Sequence, residues 1–527
     1  MKKSFTILVL FLAGSWIAGA QNTFQKTFGS TGQDQFNSVV ESSNGDLVFA
    51  GGFVPPPSST NDGFLAKLSA MGDTIWTETL HSPVSLTFSS VIKTSDDKFV
   101  CLGTYDNISG GASYLVKIDT NGSLLWSYEY TGNRIWANSI QQTADNGFIL
   151  CGSDSLGYFL LKLDSLGNFI WATNYAGDNL DGGDCVHQCF DGGYIVSGSF
   201  VLYDTIFSIY SGYGELLKTD GNGNVIWHKV YSNFYGGMPV SNRSTSVIQT
   251  HDSGYAFIYE IGPSGFVSLA RTNPTGNLIW QRDFLPMNFD LYFKGAVYEQ
   301  PNHNLIINGY YNNLASSTWF ASLLEVRENG DSAKQNLIGP ANYSSSGFFS
   351  CQTSDGGFAI AGKKAPYATG FYDALAIKTD SNLFTNCFDN LNTIGLFGDT
   401  SDFAADTPIV KTNFTVTRNN LTLIVHRGVP VIAECPNQIH EIVFDNNFSL
   451  SPNPCTSSTQ ISFTSSENKK LTCSLYNLLG EKLKEETRIV QVGENHFTLN
   501  TENLPRGVYL LRIGNEKETE GRLLVVE

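Results

Sequence analysis

The chain has 527 residues, with 32 Lys+Arg against 49 Asp+Glu for a formal charge of −17, and only 15% of its residues are charged. So thin a supply of cations leaves no basic stripe to neutralise phosphates, which excludes nucleic acid and anionic membrane surfaces as partners. The 51 glycines, 13% aromatic residues and 41% hydrophobic residues favour strands and turns around a large core and exclude a disordered chain.

Met1-Lys2-Lys3, the apolar run Phe5 to Leu12 and the small residues Ala18-Gly19-Ala20 have the layout of a secretory signal peptide over residues 1–20, cleaved before Gln21. The run is too short for a bilayer, which takes about 20 apolar residues. No later window is apolar enough either, so no transmembrane segment is expected in the mature chain. Export permits disulfides, but nine cysteines is an odd number and leaves at least one thiol unpaired. Cys101, Cys151, Cys185, Cys189 and Cys351 fall in strand-like runs, where Cys acts as a small buried hydrophobe.

An internal repeat then dominates the chain. ASYLVKIDTNGSLLW ends at Trp126, GYFLLKLDSLGNFIW at Trp171 and GELLKTDGNGNVIW at Trp227, with related endings at Trp76 and Trp280. Lys334 and Cys387 take the Trp slot in two further copies, and Phe24 marks the same phase near the amino end. The marks at 24, 76, 126, 171, 227, 280, 334 and 387 define seven units of about 52 residues, a period typical of propeller blades. The second unit offers four β-rich runs, SSVIKT, KFVCLGTY, SYLVKID and SLLWSYEY, separated by turn residues. Four-stranded blades stacked face to face would cover both faces of every sheet, which accounts for strands with so few charges. The reading for residues 21–387 is a seven-bladed β-propeller in which the strand Phe24 to Phe28 completes the last blade and removes its open edge.

The turns carry chemistry-like motifs, each with a bland counterpart. Asp119 and Gly122, Asp164 and Gly167, and Asp220 and Gly223 suit tight hairpins before the Trp. They resemble the Asp-box of sialidases with each spacing one residue longer, and an Asp-box is itself structural. Asp220, Asn222 and Asn224 look like the start of a calcium loop, but Tyr231 stands at the twelfth position. Cys185, His187 and Cys189 form the most metal-like cluster. On a regular strand the two thiols would lie about 13 Å apart, too far for one zinc. They replace the Ser and Thr of other repeats, such as Ser139 and Thr143. His440-Glu441 lacks the second His of a zinc-protease motif, with Phe444 in its place. No catalytic, cofactor or metal residues are therefore assigned, and no cofactor is expected.

Residues 388–447 lose the Trp phase and read as a bridge with short strands at Asn413 to Thr417 and Leu421 to His426, flanked by Cys387 and Cys435, for which a disulfide is suggested. From Asn446 onward nine Lys+Arg meet ten Asp+Glu, whereas residues 21–445 hold 21 against 39, so the end is a separate domain, 448–527. Its alternating runs and turns at Asn477 to Gly480 and Pro505 to Gly507 read as a small, Ig-like β-sandwich. FSLSPNP (Phe448 to Pro454), SLYNLLGEKL (Ser474 to Leu483), LPRGVYLLRI (Leu504 to Ile513) and RLLVVE (Arg522 to Glu527) closely resemble the type IX secretion system C-terminal sorting domain, type A. That resemblance implies recognition by the translocon in a Gram-negative outer membrane and delivery of the cargo to the cell surface or medium.

The fold class expected is all-β. The function expected is a non-catalytic binding or adhesion module with an extracellular glycan or protein ligand, the alternative being a polysaccharide-active hydrolase or lyase on a propeller scaffold. The repeats vary in connections such as Val54 to Asn61, Val201 to Tyr213 and Tyr310 to Thr318, where recognition is expected. Tyr203, Tyr210, Tyr213, Tyr235, Tyr310 and Tyr311 are candidates to stack on sugar rings or pack against peptide. An acidic funnel would suit a cationic or calcium-bridged ligand.

Overall fold

The structure, a computed structural model, describes residues 22–435 and 449–526 apart from short stretches such as 56–59, 177–181, 205–208, 262–265, 314–317, 367–371 and 477–481. The leader 1–20, His440-Glu441 and the turn at 477–480 lie outside the described residues, as do the side chains of Tyr203, Tyr210, Tyr235 and Cys435. No helix among the described residues is long and apolar enough to cross a membrane. The chain divides into two units, Met1–Cys435 and Pro436–Glu527.

Each repeat in the first unit folds as an antiparallel meander. Blade 3 runs through Trp136–Gln142, Phe148–Ser153, Tyr158–Leu163 and Phe169–Ala176 in that spatial order. Successive side chains of a strand point to opposite faces, and here both faces are buried. Phe148 and Leu150 join a cluster with Val100, Leu102 and Leu115 of blade 2. Their neighbours Ile149 and Cys151 join Val186, Val196 and Leu217 of blade 4. A cluster of this kind fills each of the seven blade junctions. The fold is a seven-bladed β-propeller.

Closure follows the expected route. Phe24–Phe28 pairs antiparallel with Asp373–Lys378, from Phe24 opposite Lys378 to Phe28 opposite Ala374. Phe24 and Phe28 then pack with Phe36, Phe49 and Phe64 of blade 1, so the amino-terminal strand seals the junction between the last blade and the first.

The segment read as a bridge does more than connect. It winds back around the propeller and adds a fifth, outermost strand to every blade in reverse order. Asp389–Leu391 pairs with blade 6, Gly395–Phe397 with blade 5, Phe403–Asp406 with blade 4 and Val410–Phe414 with blade 3. Thr417–Asn420 then pairs with blade 2, Ile424–Arg427 with blade 1, and Val431–Cys435 with Phe24–Phe28 of blade 7. An outer strand otherwise leaves a row of unpaired N–H and C=O groups, and this belt satisfies one after another. Three of its cations also meet blade side chains. Arg427 Nε lies 2.8 Å from Oε1 of the buried Glu78, the Arg418 guanidinium stacks 4.1 Å over Tyr128, and Lys411 Nζ donates to Asn224 Oδ1 at 2.7 Å. Cys387, where the belt begins, is disulfide-bonded, while Cys101, Cys151, Cys185, Cys189, Cys351, Cys455 and Cys473 are free.

The second unit is a sandwich. One sheet holds Ser449–Ser451, Ser458–Ser465 and Gly493–Asn500, and the other Lys482–Val490, Lys469–Tyr476, Gly507–Gly514 and Thr519–Val526. Ile461, Phe463 and Leu499 of the first sheet meet Leu475, Leu511 and Leu524 of the second in one core.

Candidate functional site

In an antiparallel meander, the first-to-second and third-to-fourth turns share one face, and the second-to-third and inter-blade connections share the other. The two faces differ sharply in variability. On the first, the first-to-second turns span 42–46, 94–98, 143–147, 189–193, 250–254, 300–304 and 353–357, five residues each time. The third-to-fourth turns of blades 1 to 6 also hold five, at 69–73, 119–123, 164–168, 220–224, 273–277 and 327–331. On the second face the second-to-third connections range from 108–109 in blade 2 to 54–61 in blade 1, and blade 4 extends its hairpin to Tyr194–Asp204 and Ile209–Thr219.

The constant face is held by repeated bonds. Lys162 Nζ reaches Asp145 at 2.9 Å, and Lys67–Asp46, Lys117–Asp96, Lys218–Asp191, Arg271–Asp252 and Lys378–Asp355 repeat the pair. Burial would raise the Asp145 carboxyl, but bonds from Thr143, Lys162 and Gly147 outweigh it and hold it at about 2. Blade 6 has Glu325 in place of the cation and a neutral partner, Asn304 Nδ2 donating to it at 2.6 Å. The Asp-x-x-Gly turns are likewise occupied. Asp220 Oδ1 accepts from the backbone N–H groups of Asn222 and Asn224, both at 2.8 Å, and Gly223 has φ +73, open only to residues that tolerate the left-handed region. A Cβ on Gly223 would sit 3.1 Å from the Trp171 ring, so the repeated Trp packs across the blade junction onto the next turn. Trp280 does the same, its Nε1 donating to the Glu328 carbonyl at 2.9 Å.

Around the axis, the innermost strand bulges at the same point in six blades, at Asn37, Ser89, Asn138, Asp184, Thr245 and Phe348. Extra residues of this kind re-aim side chains at the rims of closed sheets. Here several stitch blade to blade: Asn37 Nδ2 donates to the Phe88 carbonyl at 2.8 Å and Asn138 Nδ2 to Gly183 at 2.9 Å. Ser38, Ser139 and Ser246 accept N–H bonds from Val91, Val186 and Val297 of the following blades. Cys185 performs this stitching in blade 4, its thiol 3.8 Å from the Val247 carbonyl. Cys189 is buried in the first-to-second turn, and burial pushes its thiol up to about 11, while burial lowers the His187 imidazole. Cys185, His187 and Cys189 are thus separate parts of the framework.

A different group gathers on the variable face of blades 6 and 7. Tyr310 lies 5.0 Å from Trp319 and 6.2 Å, edge-on, from the bulge residue Phe348. Lys363 Nζ sits 5.5 Å over the Phe348 ring and 4.1 Å over Tyr372, and Lys364 Nζ 4.3 Å over Tyr343. Burial, opposed by Asp373, lowers the Lys364 ammonium to about 8. These aromatic rings are partly exposed, two lysines stand among them in an otherwise acidic unit, and Phe348 places the group beside the axial ring. Of the tyrosines singled out in the sequence, Tyr310 belongs to this cluster, Tyr311 is core at 2% exposure, and Tyr213 is half-buried outside it. Trp319, Phe348, Lys363 and Tyr372 escaped notice. The adjacent lysines 363 and 364 in a cation-poor stretch were the available signal.

In the second unit the four carboxyl-terminal motifs converge. The strands of SLYNLLGEKL, LPRGVYLLRI and RLLVVE are neighbours in one sheet, with Ser474 opposite Arg512 and Leu511 opposite Arg522. The SPNP segment is tied to the last of them, Asn453 Oδ1 accepting from Val525 N–H at 2.8 Å and Cys455 N–H donating to the Val525 carbonyl at 2.9 Å. Motifs spread over some 80 residues therefore form one surface.

Residues 449–527 match the secretion system C-terminal sorting domain. The chain is a propeller cargo of type IX secretion, exported to the cell surface or the extracellular space. Among curated proteins none matches it in sequence. Solved structures with some likeness include Sqt1 from Chaetomium thermophilum, at 11% identity and a TM-score of 0.40 over 68% of this chain and 99% of that one. An endo-1,5-alpha-L-arabinanase from Thermotoga petrophila is 10% identical with a TM-score of 0.24 over 68% and 99%. Dimeric latent PorU from Porphyromonas gingivalis is 10% identical with a TM-score of 0.14 over 60% and 31%. At these scores the likenesses carry no argument about activity.

Proposed function

We propose that the propeller is a non-catalytic binding module that takes an extracellular glycan on the variable face of blades 6 and 7, having entered the periplasm by the signal peptide of residues 1–20. The aromatic–lysine cluster supports this most directly. Tyr310, Trp319 and Tyr372 offer partly exposed ring faces, which stack on sugar rings at little entropic cost, and the half-buried Lys363 gives an acidic protein a local attraction for uronic or sulfated units. The frame beneath is rigid, because five-residue turns and repeated ion pairs fix the opposite face.

The test is a glycan array probed with the mature protein, in parallel with product analysis on each polysaccharide bound. Tyr310→Ala with Trp319→Ala should weaken binding by roughly tenfold or more, the scale of losing two stacking contacts, with the melting curve little changed. Retained binding in that double variant rules out the cluster as the site. Release of oligosaccharide by the wild-type protein would favour the hydrolase or lyase reading instead.

A further inference from the structure

We propose a transition-metal site on the constant face, at the junction of blades 5 and 6, formed by His251, Glu299 and His303. At most junctions a residue ending one blade's innermost strand accepts a backbone N–H from the preceding blade's turn. Gln142 accepts from Ser95 at 2.7 Å, Gln188 from Ala144 at 2.8 Å and Gln249 from Phe190 at 2.7 Å. At the 5–6 junction this latch is the carboxylate Glu299, whose Oε2 accepts from His251 N–H at 2.8 Å. Its second oxygen, Oε1, faces two imidazoles: His251 Nδ1 at 2.6 Å and His303 Nδ1 at 3.8 Å. The two rings lie face to face at 3.6 Å. Blade 1 also latches with a carboxylate, Glu41, but its partner there is Ser354.

Two histidines and a carboxylate are the donor set that borderline divalent ions prefer. The three ligand atoms lie within 4.8 Å of one another, so shifts of about 1 Å bring them onto one ion with bonds of about 2.0 to 2.2 Å. Among the described residues this is the one such group. Behind it, Glu328 Oε1 stands 3.9 Å from His251 Nε2, placed to take the far-ring proton as outer carboxylates do for metal-bound imidazoles. The local charge suits a dication. Three carboxylates, Glu299, Glu328 and Asp252, gather here, with Arg271 3.1 Å from Asp252 and 3.5 Å from Glu328. Side-chain exposures of 38% for His251 and 42% for His303 leave room for water on the ion. The bound ion would staple blade 5 to blade 6.

The repeat itself supplies variants that fit. His251→Ser installs the residue of Ser95 and Ser354, and Glu299→Gln that of Gln142 and Gln188. His303 has φ +66, and His303→Asn installs Asn146, which has φ +63 at the same turn position. Tag-free mature protein titrated with Zn²⁺ by calorimetry, and with Co²⁺ by visible absorption, should bind one equivalent per chain. Each variant should weaken that binding at least about tenfold, and Zn²⁺ should raise the melting temperature of the wild type but not of the variants. No saturable binding, or equal binding in all three variants, overturns the site. Melting curves in chelator that match the wild type show the variants to be folded, so a loss of metal reports on the ligands.

Discussion

Glu215 and His228 face each other at 2.7 Å in blade 4 with side chains 1% exposed. Counted from the repeated cation, Glu215 occupies the position of Phe64, Tyr114 and Phe159 in blades 1 to 3, an apolar slot between blades. Burial therefore raises its carboxyl, the attraction of His228 opposes that, and the nearby Asp184 adds to it. A carboxyl so raised keeps its proton in the fold to higher pH than in the unfolded chain. Stability is untouched below the unfolded value and falls as pH climbs toward the folded one, by at most about 1.4 kcal/mol per pH unit for one proton. Glu215→Gln keeps a donor for the imidazole and removes the titration. The variant should melt close to the wild type near pH 4 and increasingly above it toward neutral pH. A variant that instead falls below the wild type as pH rises would mean that Glu215 is ionised in the fold, and the pair is an ion pair after all. Seclusion also bears on chemistry, since a dyad this buried admits no polymer.

The belt is the element whose removal the fold should feel most. A chain ending at Cys387 would expose the outer edge of all seven blades and leave the buried Glu78 without Arg427, whose proximity opposes the rise that burial imposes on its carboxyl. We expect that chain to melt lower and to aggregate, whereas one ending at Cys435 should match the full-length propeller, as light scattering and calorimetry on the pair will show. Identical melting of the two would make the belt ornamental. The blades were legible in the sequence because a strand buried on both faces must be apolar at nearly every position, as Phe148 to Cys151 are, and its turns must carry Asp, Asn or Gly. Where their side chains are described, the belt strands are largely exposed, Ile424–Arg427 throughout, so burial imposes no apolar pattern on them. Only a seven-residue step in their starts, at 403, 410, 417, 424 and 431, marks their rhythm. The aromatic cluster was half legible for a related reason. Tyr310 lies near the end of the strand Leu305–Asn313, beside a variable connection, but Phe348 and Tyr372 reach it through blade stacking, a contact that no local pattern encodes.

At the scale of the whole molecule, destination and recognition belong to different units. The propeller carries nearly all the negative charge, the sorting domain is almost neutral, and each has its own core. The sorting surface depends on its last strand, because Thr519–Val526 pairs with the LPRGVYLLRI strand and also holds the SPNP segment through Asn453 and Cys455. Removing even that strand should therefore dismantle the surface while leaving the propeller intact. In a host with the type IX system, a chain lacking residues 448–527 should accumulate in the periplasm as a folded propeller resistant to proteolysis. Residues 436–527 fused to an unrelated periplasmic reporter should in turn carry it to the surface, and the same fusion lacking 519–527 should not. Arrival of the truncated propeller outside the cell would break the link between this domain and export. Failure of the fusion alone would mean that the translocon also reads something in the propeller, and the belt, the last part of that unit before the sorting domain, would be the first place to look for it.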